Sequence, residues 1–283
     1  MRRVTVRLVA IAGLMMMWSG IGPALSEELS GQAIMDEVSR RHDRPYERED
    51  QKMQLVDARG NIEDRQVRRY AREGDGGLYR YVVVFDSPAG VAGVALLTWQ
   101  NKGADDDQWM YLPAYGREMK RTAKGGKRNY FMGTDFAFED MTAEDKAKFR
   151  YDRQPDAVAE IRDENGQVVE TADSFVLDAY PVAEDVKEES GYQYRRLYIR
   201  KDIYFIQRVD FFDRRGRFIK SQHSRSLVNV DGQTYRADIT VMDNEKEKHR
   251  TIIRVQGRDL NEAAVPAGNF EQRWITTGRH LKK

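Results

Sequence analysis

The segment GTDFAFEDM, residues 133–141, has the carboxylates that catalysis or metal binding would need. Asp135 is separated there by three apolar residues from the adjacent pair Glu139 and Asp140. Paired carboxylates can act as general acid and base, or they can bind a metal ion. The structural alternative is that they precede a helix, because acidic groups are stabilised near the positive end of a helix dipole. We favour the structural interpretation.

The other reactive side chains form no known catalytic or metal-binding motif. The chain has no cysteine, and none of its four histidines is paired four residues apart as in zinc proteases. It lacks the G-x-S-x-G pattern of serine hydrolases. The segment KGGKR, residues 124–128, lacks the first glycine and the Ser/Thr of a phosphate-binding loop, and the acidic run 105–107 lacks EF-hand spacing. We therefore predict no catalytic residue, metal or cofactor, and we interpret both charged segments as solvated turns.

Strands separated by glycine turns account for most of the chain. Gly60-Asn61 lies between two strand-like runs, and IRDENGQVVE, VDFFDRRGRFIK and LVNVDGQTYRADITV each place a glycine between two more. Alternation of apolar and polar residues over 235–241 indicates an antiparallel strand with one exposed face. In contrast, YVVVF and GVALLTW are apolar on both faces. Such strands need cover on both sides, either by core or by ligand.

Two helices are predicted to position these strands. The first, Leu29–Asp43, has Ser30 as its N-cap and carries Ile34 and Val38 on one face. The second, Thr142–Phe149, begins with a threonine N-cap, and Asp145 three residues later completes a capping-box pattern. Helices are therefore few, and the fold class is mainly β with an α+β character.

The first 26 residues are predicted to be a signal peptide. A basic start precedes an uncharged apolar run that is too short to indicate a membrane span of about 20 residues. Ala24 and Ser26 have the spacing that a signal peptidase reads. We expect cleavage after Ser26 and export of residues 27–283, with a retained N-terminal anchor as the alternative. An exported chain without cysteine has no disulfide and must rely on its hydrophobic core.

Charge and composition narrow the range of partners. Lys and Arg number 47 against 46 for Asp and Glu, and the net charge of +1 gives no electrostatic reason to expect nucleic acid. Charged residues alternate with apolar ones, as is typical of a folded chain with a solvated surface. No repeat, low-complexity tract or Pro-rich linker divides residues 27–283, so we predict a single domain.

The middle of the chain contains three unusual segments: FDSPAGVAGVALLTW, DDDQWMYLPAYGREMKR and FMGTDFAFEDM. Their order and spacing resemble those of the outer-membrane lipoprotein-sorting protein family, in the LolA/LolB-like superfamily. YFIQRVDFFDRRGRFIKS is similar to the family's paired strands, and VDGQTY and HRTIIRV are similar to its last hairpin. Gln233 and Tyr198 depart from the family, whose members often have tryptophan at these places.

The resemblance implies a fold and a role. The fold is an incomplete, strongly curved antiparallel β-barrel with a helical lid. The role is that of a monomeric, non-enzymatic carrier in the periplasm of a Gram-negative bacterium. Such a carrier shields acyl chains of a lipid or lipoprotein in an apolar cavity during transport towards the outer membrane, alongside an exporter of the resistance-nodulation-division (RND) type. The alternatives are an interaction module that docks on an exporter, and an exported hydrolase that uses the carboxylates of residues 133–141.

The strands that are apolar on both faces supply the predicted cavity lining. Two short helices do not cover a long sheet completely, which leaves either a cavity or a tightly coiled barrel. Ile34 and Val38 are expected to face the cavity from the lid helix. Core packing is the alternative role for each aromatic residue of the lining. The predicted lining residues are Val82, Val84, Leu96, Trp99, Trp109 and Tyr111.

Overall fold

A single antiparallel sheet of thirteen strands dominates the computed structural model, which describes residues 29–282. The predicted signal peptide, residues 1–26, lies outside the described residues. The strands are β1 Tyr46–Val56, β2 Ile62–Glu73, β3 Tyr79–Ser87, β4 Ala95–Trp99, β5 Asp107–Tyr111, β6 Met119–Arg121, β7 Phe149–Arg162, β8 Val168–Pro181, β9 Tyr192–Arg200, β10 Phe205–Asp213, β11 Phe218–Asp231, β12 Thr234–Asn244 and β13 His249–Asp259.

The sheet consists of two meanders, β1 to β6 and β7 to β13, joined because β1 pairs with β13. Strands β6 and β7 are its two edges and do not pair with each other, so the curved sheet stays open. This confirms the predicted incomplete antiparallel barrel. Gly60, Gly166, Gly216 and Gly232 lie in four of its hairpin turns with positive φ, a conformation that glycine adopts without strain. These are the turns that the sequence predicts.

The first predicted helix is confirmed as α1, Gly31–His42. The Ser30 hydroxyl caps its N-terminus by accepting a hydrogen bond from the Ala33 amide at 3.2 Å. A Cβ at Gly31 would lie 2.4 Å from the carbonyl oxygen of Tyr151. Glycine therefore lets the start of α1 approach the backbone of β7, and α1 lies across the sheet from there.

The second predicted helix is wrong. Its residues form a single 3-10 helical turn, at Lys146–Lys148, and β7 begins directly at Phe149. The carboxylate of Asp145 accepts a hydrogen bond from the Ala147 amide at 3.1 Å, so Asp145 caps this short turn. Lys148 is buried and ion-paired with Asp106, and this tertiary contact fixes the chain before a helix can continue. The other α-helices among the described residues are α2 Glu184–Glu189 and α3 Gln272–Thr276.

The face of the sheet that carries α1 is here called the inner face, and it holds two apolar clusters. Ile253 and Met141 pack against both of them, which places the clusters on the same face. The helix-side cluster lies under α1 and includes Ile34, Met35, Val38, Leu177, Leu197, Ile199 and Phe211. The edge cluster lies on β1 to β4 and comprises Met53, Leu55, Val67, Val83, Phe85, Val94, Leu96 and Phe131.

The outer face of the same strands is covered by the C-terminal segment, residues 265–281. Along β3, Val82 and Val84 alternate with the inner residues Val83 and Phe85 and therefore point outwards. The resulting outer cluster comprises Tyr70, Val82, Val84, Ala95, Leu97, Tyr111, Val265, Phe270 and Ile275. Residues 29–282 contain no helix with the length and hydrophobicity that a bilayer crossing demands.

Candidate functional site

The six predicted lining residues do not share one surface. Val82 and Val84 are fully buried in the outer cluster, and Tyr111 lies there too, with its ring centroid 5.3 Å from that of His280. Only Leu96 lies on the inner face, in the edge cluster.

The two predicted tryptophans are also on the outer face. The indole rings of Trp99 and Trp109 are in edge contact, with centroids 4.8 Å apart. Trp99 donates a hydrogen bond from Nε1 to the carbonyl oxygen of Phe270 at 2.9 Å. The C-terminal segment is thus the cover that these strands require. The sequence reasoning missed it because the segment contains no long periodic element.

The lid residues Ile34 and Val38 are buried and fill the inner face over β7 to β12. Their neighbours Leu197 and Ile199 come from β9, far along the chain. In this closed arrangement α1 occupies the space above the helix-side cluster. The hydrophobic stripe of α1 therefore covers this half of the sheet.

An apolar cavity of about 290 Å³ lies beside the edge strand β6. Met110, Leu112, Tyr115 and Phe138 supply its apolar walls. Met110, Leu112 and Phe138 also pack against the edge cluster that contains Leu96. The cavity therefore borders the apolar half of the inner face. Its volume is close to the lower limit of typical ligand sites, about 300 Å³.

The inner face becomes more polar along β1 and β3. On β1 the inward side chains run from Leu55 and Met53 through Gln51 to Glu49 and Glu47, and all five are buried. On β3 they run from Phe85 and Val83 to Tyr81 and Tyr79. The sequence shows the alternation on β1, but it does not show that the charged residues face inwards.

An ion-pair network closes the charged end. Arg258 donates from Nε to Glu49 at 2.8 Å and from one terminal nitrogen to Asp238 at 2.9 Å. Arg236 donates from Nε to Glu47, also at 2.8 Å. Because buried charges need partners to offset their lost hydration, this network explains how carboxylates tolerate the inside of the sheet.

A polar cleft of about 310 Å³ adjoins this network, between the end of α1, the loop 143–146 and the strands β1 to β3. His42 and Asp43 line it from the helix, and Arg69 and Tyr81 from the sheet. The guanidinium of Arg69 lies 5.5 Å from the centroid of the Tyr81 ring, within cation–π distance. The cleft and the apolar cavity thus lie at opposite ends of the same inner face.

Two of the predicted carboxylates hold the segment 133–141 to the sheet. Asp135 accepts hydrogen bonds from Thr251 at 2.8 Å and Asn244 at 3.0 Å, and it lies 2.7 Å from His249 Nδ1. Asp140 accepts from the buried Lys220 ammonium at 2.7 Å. Every one of these partners belongs to the sheet, which fits a structural role for both acids.

Glu139 is also held by hydrogen bonds. Its carboxylate accepts from the Ser190 hydroxyl and from the Gly191 amide, both at 2.7 Å. Burial, followed by the charge of Asp140, raises the pKa of Glu139 to about 7. A raised pKa suits acid catalysis. A metal site is a separate question, and the described residues offer no group of three or more His, Asp or Glu side chains that would hold a metal ion.

The two charged segments are not the solvated turns that the sequence suggests. Lys127 of KGGKR is buried, and its ammonium lies 2.5 Å from the Asp105 carboxylate. Asp106 pairs with the buried Lys148. The loop after β4 is therefore tied to the segment before β7. Sequence spacing alone does not reveal this tie, because the paired residues are far apart along the chain.

A serine–histidine contact on the sheet is not a catalytic pair. His223 Nε2 lies 3.0 Å from the Ser221 hydroxyl, while His223 Nδ1 accepts a hydrogen bond from the Arg162 amide at 3.3 Å. The Nε2 atom must therefore carry the proton of the neutral ring and cannot remove one from Ser221. Burial lowers the pKa of His223 to about 3, which keeps the ring neutral.

Solved structures with the same fold come from several bacteria. A domain from Vibrio parahaemolyticus, described as an outer membrane lipoprotein-sorting protein, is 25% identical with a TM-score of 0.76, over 87% of this chain and 98% of that chain. A DUF1329 family protein from Desulfovibrio piger is 22% identical with a TM-score of 0.75, over 87% and 97%. A LolA superfamily protein from Nitrosomonas europaea is 14% identical with a TM-score of 0.64, over 86% and 98%.

A family model described as "Uncharacterized protein" matches residues 77–277, more than half of the chain. The chain belongs to the outer-membrane lipoprotein-sorting protein family of the LolA/LolB-like superfamily. No curated protein matches the sequence. The family's open sheet accounts for both candidate sites, because its inner face runs from the apolar cavity at β6 to the polar cleft beside α1.

Proposed function

We propose that this protein is a non-enzymatic periplasmic carrier that binds acyl chains of a lipid or lipoprotein on the inner face of its sheet during transport towards the outer membrane. The observation that carries the proposal is the apolar cavity of about 290 Å³ beside β6. It opens at a sheet edge, and its apolar walls pack against the edge cluster, so an acyl chain has an entrance beside the apolar half of the inner face. Export to the periplasm, action as a monomer and partnership with an RND-type exporter are further parts of the proposal, supported by the sequence resemblance.

The energetics of acyl-chain transfer require such a shield. Burying hydrocarbon gains about 0.8 kcal/mol per CH₂, or about 13 kcal/mol for a sixteen-carbon chain before opposing terms. A chain therefore does not cross an aqueous compartment unprotected. The same magnitude makes release slow unless the empty form of the carrier is itself stabilised.

Helix α1 supplies that stabilisation in our proposal. Its apolar stripe already fills the helix-side half of the inner face. Its C-terminal end is held by the Thr234 hydroxyl, which donates to the Arg41 carbonyl at 2.9 Å, and by the His42 ring, 3.0 Å from the Ile203 carbonyl oxygen. A chain that extends under α1 must displace these contacts. The closed lid therefore competes with the ligand and lowers its net affinity.

The test compares two neighbouring residues on opposite faces of β5. Met110→Trp adds volume at the cavity wall, whereas Trp109→Ala alters the outer face and is the control. We expect delipidated wild-type protein to bind a fluorescent fatty-acid probe, and Met110→Trp to weaken binding at least about tenfold, which corresponds to ~1.4 kcal/mol. Trp109→Ala is expected to lower stability without changing the affinity of the folded fraction.

Two results contradict the proposal. If the delipidated wild-type protein binds no probe, the inner face is not an acyl-chain site and an interaction module becomes the better explanation. If Met110→Trp binds the probe as tightly as the wild type, the ligand does not use the cavity beside β6. Circular dichroism and thermal unfolding establish that each variant is folded before affinities are compared.

A further inference from the structure

The charged groups of the polar cleft are balanced in sign. Four permanent cations and four acids line the cleft, so a ligand of either net charge would meet as many repelling groups as attracting ones. Most of these groups are already paired with each other or with a neighbour outside the cleft. The cations are Arg44, Arg69, Lys146 and Arg236, and the acids are Asp43, Glu47, Glu144 and Asp145.

Three of the four acids have a cationic partner. Glu47 accepts from Arg236 at 2.8 Å. Glu144 lies 2.6 Å from Arg195, and Asp145 lies 3.6 Å from Lys148. Two cations of the cleft are paired with acids that lie outside it: Arg44 with Asp231 at 3.2 Å and Lys146 with Asp36 at 2.7 Å.

Arg69 and Asp43 have the weakest partners of these charged groups. Within residues 29–282, the Arg69 side chain makes no hydrogen bond, and its nearest acid oxygen is that of Glu47 at 3.7 Å. Over the same residues, no cation lies within 4.0 Å of the Asp43 carboxylate, which accepts a hydrogen bond from the Ser39 side chain. The two groups have opposite signs and line the same cleft, yet they do not pair with each other. The N–H groups of Arg69 and the remaining acceptor capacity of the Asp43 carboxylate are thus available to a ligand.

We propose that the polar cleft binds the head group of a zwitterionic lipid, with its phosphate at Arg69 and its ammonium at Asp43. A guanidinium suits phosphate because it presents several N–H donors in a planar fork. A carboxylate accepts hydrogen bonds from an ammonium. A purely anionic head group would leave Asp43 facing a like charge, and a purely cationic one would do the same to Arg69.

The position of the cleft on the inner face favours a lipid over a free zwitterion. This part of the inference rests on the proposed function, because it requires acyl chains on the same face. The inward residues of β3 change from Phe85 at the apolar end to Tyr79 at the cleft. At about 3.3 Å per residue these positions are roughly 20 Å apart, more than the ~15 Å depth of the chains in one bilayer leaflet. The strand is therefore long enough to span one lipid with its head in the cleft.

The experiment uses two soluble lipids with the same palmitoyl chain, lyso-phosphatidylethanolamine and lyso-phosphatidylglycerol. Their affinities are measured by isothermal titration calorimetry below the critical micelle concentration. The variants are Arg69→Gln and Asp43→Asn, and Lys52→Gln and Asp50→Asn on the outward side of β1 are the matched controls. Arg69→Lys, which keeps the charge but not the fork, replaces Arg69→Gln if the latter does not fold.

We expect the wild type to bind the ethanolamine lipid more tightly than the glycerol lipid. Arg69→Gln is expected to weaken both at least about tenfold, and Arg69→Lys to weaken both by a smaller factor. Asp43→Asn is expected to weaken the ethanolamine lipid about tenfold and to leave the glycerol lipid unchanged or bound more tightly. The controls are expected to change neither affinity more than about twofold.

Several outcomes overturn the head-group assignment while leaving the carrier function intact. In the first, the wild type binds both lipids with equal affinity. In the second, the cleft variants are folded and keep their lipid affinities, while the fatty-acid probe still binds. Free phosphoethanolamine bound as tightly as the lysolipid would overturn the lipid as the source of the zwitterion. If no lipid and no fatty-acid probe binds the wild type, both proposals fall together.

Discussion

Leu96 and Leu97 are consecutive residues of β4, both buried, and they belong to different apolar clusters on opposite faces of the sheet. Leu96 packs in the edge cluster, next to the cavity at β6. Leu97 packs in the outer cluster under the C-terminal segment. Because the two side chains have the same size and burial, substituting each in turn separates the contribution of each face to stability and to binding.

Leu96→Ala and Leu97→Ala are expected to lower stability by similar amounts but to differ in their effect on ligand binding. Each removes buried methyl groups, so each should lower the unfolding free energy by about 2–5 kcal/mol. Only Leu96→Ala should change the affinity for the fatty-acid probe, because only its void opens towards the cavity. Urea unfolding and probe titration of the folded fraction measure both effects. A changed affinity in Leu97→Ala would place the ligand on the outer face instead.

Phe270→Ala is expected to loosen the C-terminal segment. Phe270 is fully buried in the outer cluster, and its carbonyl accepts from Trp99. Truncation of a buried phenylalanine costs about 3–5 kcal/mol, and Trp99 should become more exposed to quenchers of its fluorescence. Tyr115→Ala, at a side chain with 74% exposure, is the control and should stay within about 0.5 kcal/mol of the wild type. Equal stability of the two variants would mean that the segment is not a required cover.

The two lysines of KGGKR are expected to contribute very differently to stability. Lys127 is buried against Asp105, whereas Lys124 is largely exposed beside Glu188. Lys127→Ala leaves a carboxylate without its partner and should cost about 2 kcal/mol or more. Lys124→Ala should change stability by less than about 1 kcal/mol, as exposed ion pairs do. A thermal unfolding curve for Lys127→Ala that coincides with that of Lys124→Ala would restore the interpretation of the segment as a solvated turn.

Glu139 is expected to make stability depend on pH. Its pKa rises from 4.5 to about 7 in the folded protein, so the folded state binds this proton more tightly than the unfolded state. The contribution of protonated Glu139 to the stability of the folded protein is complete below about pH 4.5, and it is lost as the pH rises through about 7. Glu139→Gln should therefore gain stability relative to the wild type between about pH 4.5 and pH 8, by about 1.4 kcal/mol for each unit of pKa shift.

Urea unfolding of both proteins at the two pH values measures this gain. The control is Glu184→Gln, whose side chain is 78% exposed and should show no such difference. A difference between Glu139→Gln and the wild type that is the same at both pH values would mean that Glu139 is charged in the folded protein throughout the range.

Local chemistry determined the elements that the sequence predicts correctly. The turns at Gly60, Gly166, Gly216 and Gly232 need a residue that tolerates positive φ, so the hairpins can be read from neighbouring residues. Helix α1 likewise follows from its serine cap and apolar stripe. These features depend on contacts within a few residues, which is why the sequence alone is sufficient for them.

Tertiary contacts decided the rest. The segment before β7 has a helix-capping pattern, but the pairing of Lys148 with Asp106 ends it within one turn. Period-two alternation separates Val82 from Val83, yet it does not indicate which face the C-terminal segment covers and which carries α1. The proximity of Arg69 and Asp43 in one cleft also emerges only in three dimensions, because the cleft is lined by residues distant in the chain. The sequence determines which side chains share a face of a strand, whereas the folded sheet determines which segment packs against each face.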